Sequence, residues 1–176
     1  IQERDVDAIL GRESLETSLI AGLIGLGLVF LFMILSYRVA GLVGCLALTW
    51  YIITVIAIFK LIPVTLTLSG VAAFILSIGL AVDANILVFE RTKEELRLGR
   101  TLNSAIQVGF NRAWSAIRDG NVSTMITCAI LFWFGQRLGT SVIQGFALIL
   151  FIGVAASMIS ATVVTRTLLL IAIISP

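Results

Sequence analysis

Residues 67–89 read Thr-Leu-Ser-Gly-Val-Ala-Ala-Phe-Ile-Leu-Ser-Ile-Gly-Leu-Ala-Val-Asp-Ala-Asn-Ile-Leu-Val-Phe, a run whose one ionisable side chain is Asp83. A bilayer core is crossed by about 20 apolar helical residues. No alternation of apolar and polar side chains points instead to a strand. The run therefore reads as a transmembrane helix with a carboxylate set inside it.

Outward from this run, the charged residues act as boundaries. Residues 17–37 lie uncharged between Glu16 and Arg38, and 39–59 between Arg38 and Lys60. Residues 120–136 and 138–165 are uncharged in the same way. These runs predict helices over 17–36, 42–59, 121–136 and 142–165, five spans in all with 67–89. Composition agrees, at 59% hydrophobic, 12% charged and a mean hydropathy of +1.11. A soluble domain carries about 25% charge, so soluble and disordered chains are both excluded. The net charge of +2 leaves no electrostatic footprint for nucleic acid. The expected class is an all-α membrane protein.

Basic residues set the expected orientation. Five spans in series put 37–41, 90–120 and 166–176 on one side, with Arg38, Arg91, Lys93, Arg97, Arg100, Arg112, Arg118 and Arg166. The other side keeps Arg4, Arg12, Lys60 and Arg137. The first side is therefore cytoplasmic, and residues 1–16 close a region on the outside. The chain opens on Ile1 with no signal peptide before the first span, and the expectation is that an N-terminal part is missing. Within 90–120, Arg91 with Glu95 and Glu94 with Arg97 stand at pairing distance along a helix. Gly99 can end that helix and Thr101 can cap the next. Leu102, Ile106, Phe110, Trp114 and Ile117 then form one apolar stripe. It predicts a short amphipathic helix along the cytoplasmic membrane surface, either a connector packed under the bundle or a surface for a partner.

Catalytic chemistry finds little to work with. The chain has no histidine, so Ser-His and Cys-His pairs and the usual zinc sites are absent. Cys45 and Cys128 stand far apart in apolar runs and make no thiol motif. No phosphate-binding loop is present; Gly25-Leu26-Gly27 reads as helix packing. No enzyme activity, metal or cofactor is expected, and an ion gradient is the available energy source.

Asp83 is the candidate site. It lies seven residues from Glu90, roughly 10 Å along a helix axis. An ionisable group at that depth is costly and reads first as functional, with burial expected to raise its pKa into a range where protons exchange. A structural aspartate is the plainer alternative. Asn85 points to another flank, and Gly79 shares the face of Asp83 and leaves room for a neighbouring helix. Asp119, Asn121, Ser123, Thr124 and Thr127 open the fourth span as a second polar cluster, read either as hydrogen-bonding glue or as a water-lined proton route. Gly153, Ser157 and Ala161, beside Ser160, form a small-residue stripe that marks a helix contact. With the lone Asp83, this stripe suggests a surface finished by other helices.

These residues also carry a resemblance. Gly79-Leu-Ala-Val-Asp83-Ala-Asn85-Ile-Leu-Val-Phe-Glu90-Arg91 resembles the fourth-helix motif of the SecD family of the resistance-nodulation-division superfamily. Asp119-Gly-Asn121-Val-Ser-Thr124 resembles the element opening that family's fifth helix, and Leu131-Phe-Trp-Phe-Gly135, Gly145-Phe146-Ala147 and Leu10-Gly11-x-x-Ser14 fit as well. Arg118-Asp119-Gly120, Val39-Ala40 and Thr92-Lys93 depart from the usual pattern without touching Asp83. The resemblance implies that the spans are helices two to six of six, in a bacterial inner membrane. It implies SecF, the SecYEG channel and YajC as partners, and exported preproteins as cargo. It implies that the aspartate at position 83 passes protons that power late, ATP-independent export. A proton-coupled exporter of lipid or small molecules and a passive membrane scaffold are the rival readings.

Overall fold

A computed structural model of the chain describes residues 2–62, 67–165 and 167, with side chains from Ser14 onward. For the entry residues Leu10 and Gly11 only the backbone is described, and the expected tail over 166–176, with Arg166, lies outside this description apart from Thr167. Every element is helical: α1 (Gln2–Leu61), α2 (Leu68–Arg97), α3 (Leu102–Leu138) and α4 (Ser141–Ile159), the last running on as a π-helical turn, Ser160–Thr165. Among the described residues there is no strand. Three stretches are long and apolar enough to cross a membrane: Ser14–Leu61, Leu68–Arg97 and Ser141–Thr165.

Helix α1 is not one rod. Arg38 takes φ 47° and ψ −114°, outside helical geometry. Cys45 Sγ comes within 3.9 Å of the Phe30 carbonyl, which in a straight helix would stand about 22 Å away. The chain doubles back at Arg38, and the arms holding 17–36 and 42–59 form a helical hairpin. Gly41 permits the approach, because a side chain there would strike the Met33 carbonyl.

Thr67 caps α2 by accepting a hydrogen bond from the Gly70 amide at 3.2 Å. The helix stops at Arg97, and Gly99 follows with φ 84°, as a left-handed turn after a helix requires. Thr101 occupies the N-cap position of α3 but makes no side-chain capping bond. The short amphipathic helix is corrected here. Residues 102–138 form one continuous helix, with no break at Asp119-Gly120. A solvent-exposed glycine costs a helix about 1 kcal/mol, too little to interrupt one held by packing on both sides. The stripe at its start faces inward: Ile106, Phe110 and Ile117 are buried and Trp114 packs against them.

Helix α2 sits at the centre. Ser77, Ala81, Ala84, Asn85, Val88, Thr92 and Glu95 recur at helical spacing along its buried face. Leu48, Tyr51 and Val55 of α1 and the stripe of α3 pack there, while Ile149, Leu150 and Val154 of α4 cover Ala73 and Cys128. Lipid is as apolar as these side chains, so close approach and buried hydrogen bonds hold such a bundle. The Tyr51 hydroxyl lies 2.9 Å from Ser77 Oγ and 3.2 Å from the Gly153 carbonyl oxygen, tying α1, α2 and α4 together. A methyl group at Gly153 would sit 2.5 Å from Ser77 Cβ. The stripe of Gly153, Ser157 and Ala161 is therefore spent inside this bundle, which corrects its reading as a surface for other helices. Gly25 and Gly27, in contrast, have open space around them and pack against nothing described here.

Candidate functional site

Asp83 lies on the outward face of α2. Ala72, Leu76, Gly79 and Asp83, three or four residues apart, are all exposed, whereas Val82, Ala84 and Asn85 beside them are buried. A methyl group at Gly79 would meet nothing within 4 Å. Among the described residues Asp83 has no hydrogen-bond or ion-pair partner. The deeply buried acid expected from sequence is thus corrected at the level of this chain. The core-facing stripe is filled by Ser77, Ala81, Ala84 and Val88, and the helical repeat turns position 83 away from it.

Asn85 faces inward, 3% exposed, and its Oδ1 accepts a hydrogen bond from Thr165 Oγ1 at 2.7 Å. Thr165 closes the π-helical turn after α4, so this bond joins the aspartate-bearing helix to the end of the last one. Sequence reading missed Thr165, since no local signal links residues 80 apart.

The second polar cluster does not bond across helices as the glue reading expects. Asp119 is exposed and pairs with Arg118, whose Nη2 lies 3.0 Å from its Oδ1. Thr124 donates to the Gly120 carbonyl at 3.1 Å and Thr127 to the Ser123 carbonyl at 3.0 Å. Both hydroxyls are taken up by their own helix, and neither bonds to a neighbouring one. Asn121 is buried, and its amide nitrogen has no hydrogen-bond partner among the described residues.

Beyond Phe89, α2 leaves the apolar run and turns polar. Glu95 is the charge that sequence reading misplaced: only 2% exposed, it faces α3 rather than Arg91. Arg112 Nη1 donates to Glu95 Oε1 at 2.5 Å, and Arg100 Nε lies 2.7 Å from Oε2, off the line of a hydrogen bond. The Arg112 hydrogen bond, helped by the two guanidinium charges, outweighs burial and holds the Glu95 carboxyl below its usual range. Arg91 pairs with Glu94 at 2.7 Å instead, and Lys93 Nζ stands 3.8 Å from Glu90 Oε1. One turn away, Gly109 lets α3 press on α2: a methyl there would lie 2.7 Å from the Thr92 amide nitrogen.

A helical membrane bundle with an unpartnered carboxylate on an in-membrane face is the class these features define. The profile of the protein-export membrane protein SecD/SecF C-terminal family matches residues 1–174, and the chain belongs to that family. It is 61% identical to the protein translocase subunit SecD of Thermobaculum terrenum over 96% of this chain and 33% of that protein. Against SecD of Dehalococcoides mccartyi it is 53% identical over 96% of this chain and 38% of the relative. The fold matches the crystal structure of SecDF, a translocon-associated membrane protein from Thermus thermophilus. The TM-score is 0.87 and identity 38%, over 92% of this chain and 22% of that one. The chain thus spans about a third of the length of the curated relatives it matches.

Proposed function

We propose that the chain is the membrane portion of a SecD-type subunit that works with SecF to convert the proton gradient into late, ATP-independent export through SecYEG. It crosses a bacterial inner membrane five times, at 17–36, 42–59, 67–89, 121–136 and 142–165, with the 90–120 connector in the cytoplasm. It performs no catalysis of its own and needs no metal or cofactor; exported preproteins are its cargo, and YajC is a further partner. One observation carries this reading: the Asp83 carboxylate stands within an apolar helix, on a face the described residues leave open beside Gly79.

A charge cannot rest in hydrocarbon, so other helices or a water-filled path must meet that face. SecF is the partner the family relationship offers. Protonating Asp83 removes its charge and with it the cost of turning that face toward an apolar neighbour. Releasing the proton restores the cost. A carboxylate in this position therefore biases two packings of α2 against its partner, which is the element a gradient needs in order to do mechanical work. Asn85, held to Thr165, fixes the rotation of α2 about its axis. Asp119, Asn121, Thr124 and Thr127 shape the cytoplasmic approach.

The test is export of a secreted precursor into vesicles carrying the full-length subunit with Asp83→Asn. Asparagine matches the neutral acid in size but cannot ionise. The variant is expected to assemble normally and to lose the part of export that responds to the gradient. Export by the variant that responds to the gradient as fully as wild type makes Asp83 a structural aspartate.

A further inference from the structure

Where α1 turns at Arg38, an open cavity of about 370 Å³ separates the turn from the polar end of α2 and the start of α3. Its wall is mostly apolar, formed by Val43, Phe89, Leu96, Leu102 and Ile106 together with the Tyr37 ring. Arg38 and Lys93 line the same space and both are exposed. Lys93 has Glu90 3.8 Å away and the Tyr37 ring 5.9 Å below it. Arg38 has no carboxylate partner among the described residues. It is also the one non-glycine residue with positive φ among them. An arginine kept where glycine would be comfortable stores strain, and strain of this kind collects at functional positions.

We infer that this cavity is a binding site for an anionic phospholipid, with the phosphate held by Arg38 and Lys93 and an acyl chain lying along the apolar wall. The inference rests on the proposed orientation, which puts the turn at the cytoplasmic membrane surface. Charge complementarity selects the occupant. The two cations outnumber the single carboxylate beside them, so a zwitterionic lipid, whose own ammonium group cancels its phosphodiester charge, leaves Arg38 unmatched, while a lipid of net negative charge satisfies it. The wall is too apolar for a free phosphate or sugar phosphate, and a tyrosine at the rim suits the headgroup depth. A peptide segment would need hydrogen-bonding groups along the wall, and the side chains there offer few.

The test is native mass spectrometry of the full-length protein in detergent, titrated with phosphatidylglycerol, with phosphatidylcholine or with inorganic phosphate. Arg38→Gly removes the charge and suits the backbone, so it keeps the turn intact. Lys93→Gln removes the second charge from an exposed position, and Arg137→Gln at the far end of α3 serves as control. Phosphatidylglycerol should stay bound to wild type and to Arg137→Gln. Its retention should weaken roughly fivefold for each cavity charge removed, and phosphatidylcholine and phosphate should be retained weakly or not at all. Equal retention of phosphatidylcholine, or phosphatidylglycerol retention indifferent to both cavity substitutions, overturns the site. So does a cavity that takes up no lipid because another part of the full-length chain fills it. Export is not the readout, so loss of this site leaves the Asp83 proposal standing. Failure of Asp83→Asn to change gradient response leaves the lipid result intact.

Discussion

Asp83 and Glu95 stand on the same helix and meet opposite surroundings. Asp83 points outward with nothing among the described residues to hold it, while Glu95 is buried between two arginines. The sequence made the first legible, because a carboxylate in an apolar run announces itself. It hid the second, because Glu95 sits among six charged residues in 90–97 and local spacing assigns it to Arg91. Its real partners come from across the turn, and only the packing of α3 selects them. The lowered Glu95 pKa sets a direction. A carboxyl depressed in the folded state contributes stability above its ordinary value of 4.5, and that contribution is lost as pH falls through the folded value. Thermal unfolding in detergent, followed from about pH 6 down to about pH 3, should therefore show a midpoint that falls in wild type. Glu95→Gln should begin lower and change less, and parallel curves would remove the ion pair from the stability of this end. At the other buried polar contact, Thr165→Val leaves Asn85 Oδ1 without its donor, at a cost of roughly 1–3 kcal/mol. Unfolding by denaturant checks it, and a variant as stable as wild type would show that the bond contributes nothing net.

Among the elements, the hairpin of α1 and the whole of α2 could be read from charge spacing. A charged residue between two apolar runs must reach water, so Arg38 marks a turn whichever helix geometry produces it. The start of α3 was harder. Its apolar stripe was visible, but Asp119-Gly120 looked like a boundary, and what carries the helix through is packing before and after those residues. Where that packing is tightest it also sets a prediction. Gly109 meets the backbone of Arg91 and Thr92, which cannot swing aside as a side chain would. Gly109→Leu should push α3 away from α2 and destabilise the bundle by about 1–3 kcal/mol, whereas Gly120→Ala, with open space around it, should be neutral or slightly stabilising. Unfolding midpoints of the two variants in one detergent check this, and equal effects would show that the α2–α3 contact is looser than its geometry implies.

For the molecule as a whole, apolar runs and basic residues are what the proposed crossings and the proposed side of each loop rest on. They cannot specify how many other helices complete the bundle. Asp83, on a face the described residues leave open, is the observation on which the proposed pairing with SecF rests. Orientation is checked by cysteine labelling after Cys45 and Cys128 are replaced by alanine. A Ser104→Cys variant should react with an impermeant reagent from the cytoplasmic side only, and labelling from the periplasm alone would invert the topology. Full-length protein should retain SecF through purification in mild detergent, and a stable subunit that supports export without SecF would contradict an interface at Asp83.

The claim on which the account turns is that Asp83 itself takes up and releases the proton that drives export. Proton release from the acidified interior of inside-out vesicles can be followed with a pH-sensitive dye trapped inside, using full-length subunit with SecF and SecYEG. Wild type should pass protons in step with translocation of a precursor, and Asp83→Asn should pass none above vesicles lacking the subunit. Proton release through Asp83→Asn at the wild-type rate would contradict the account outright.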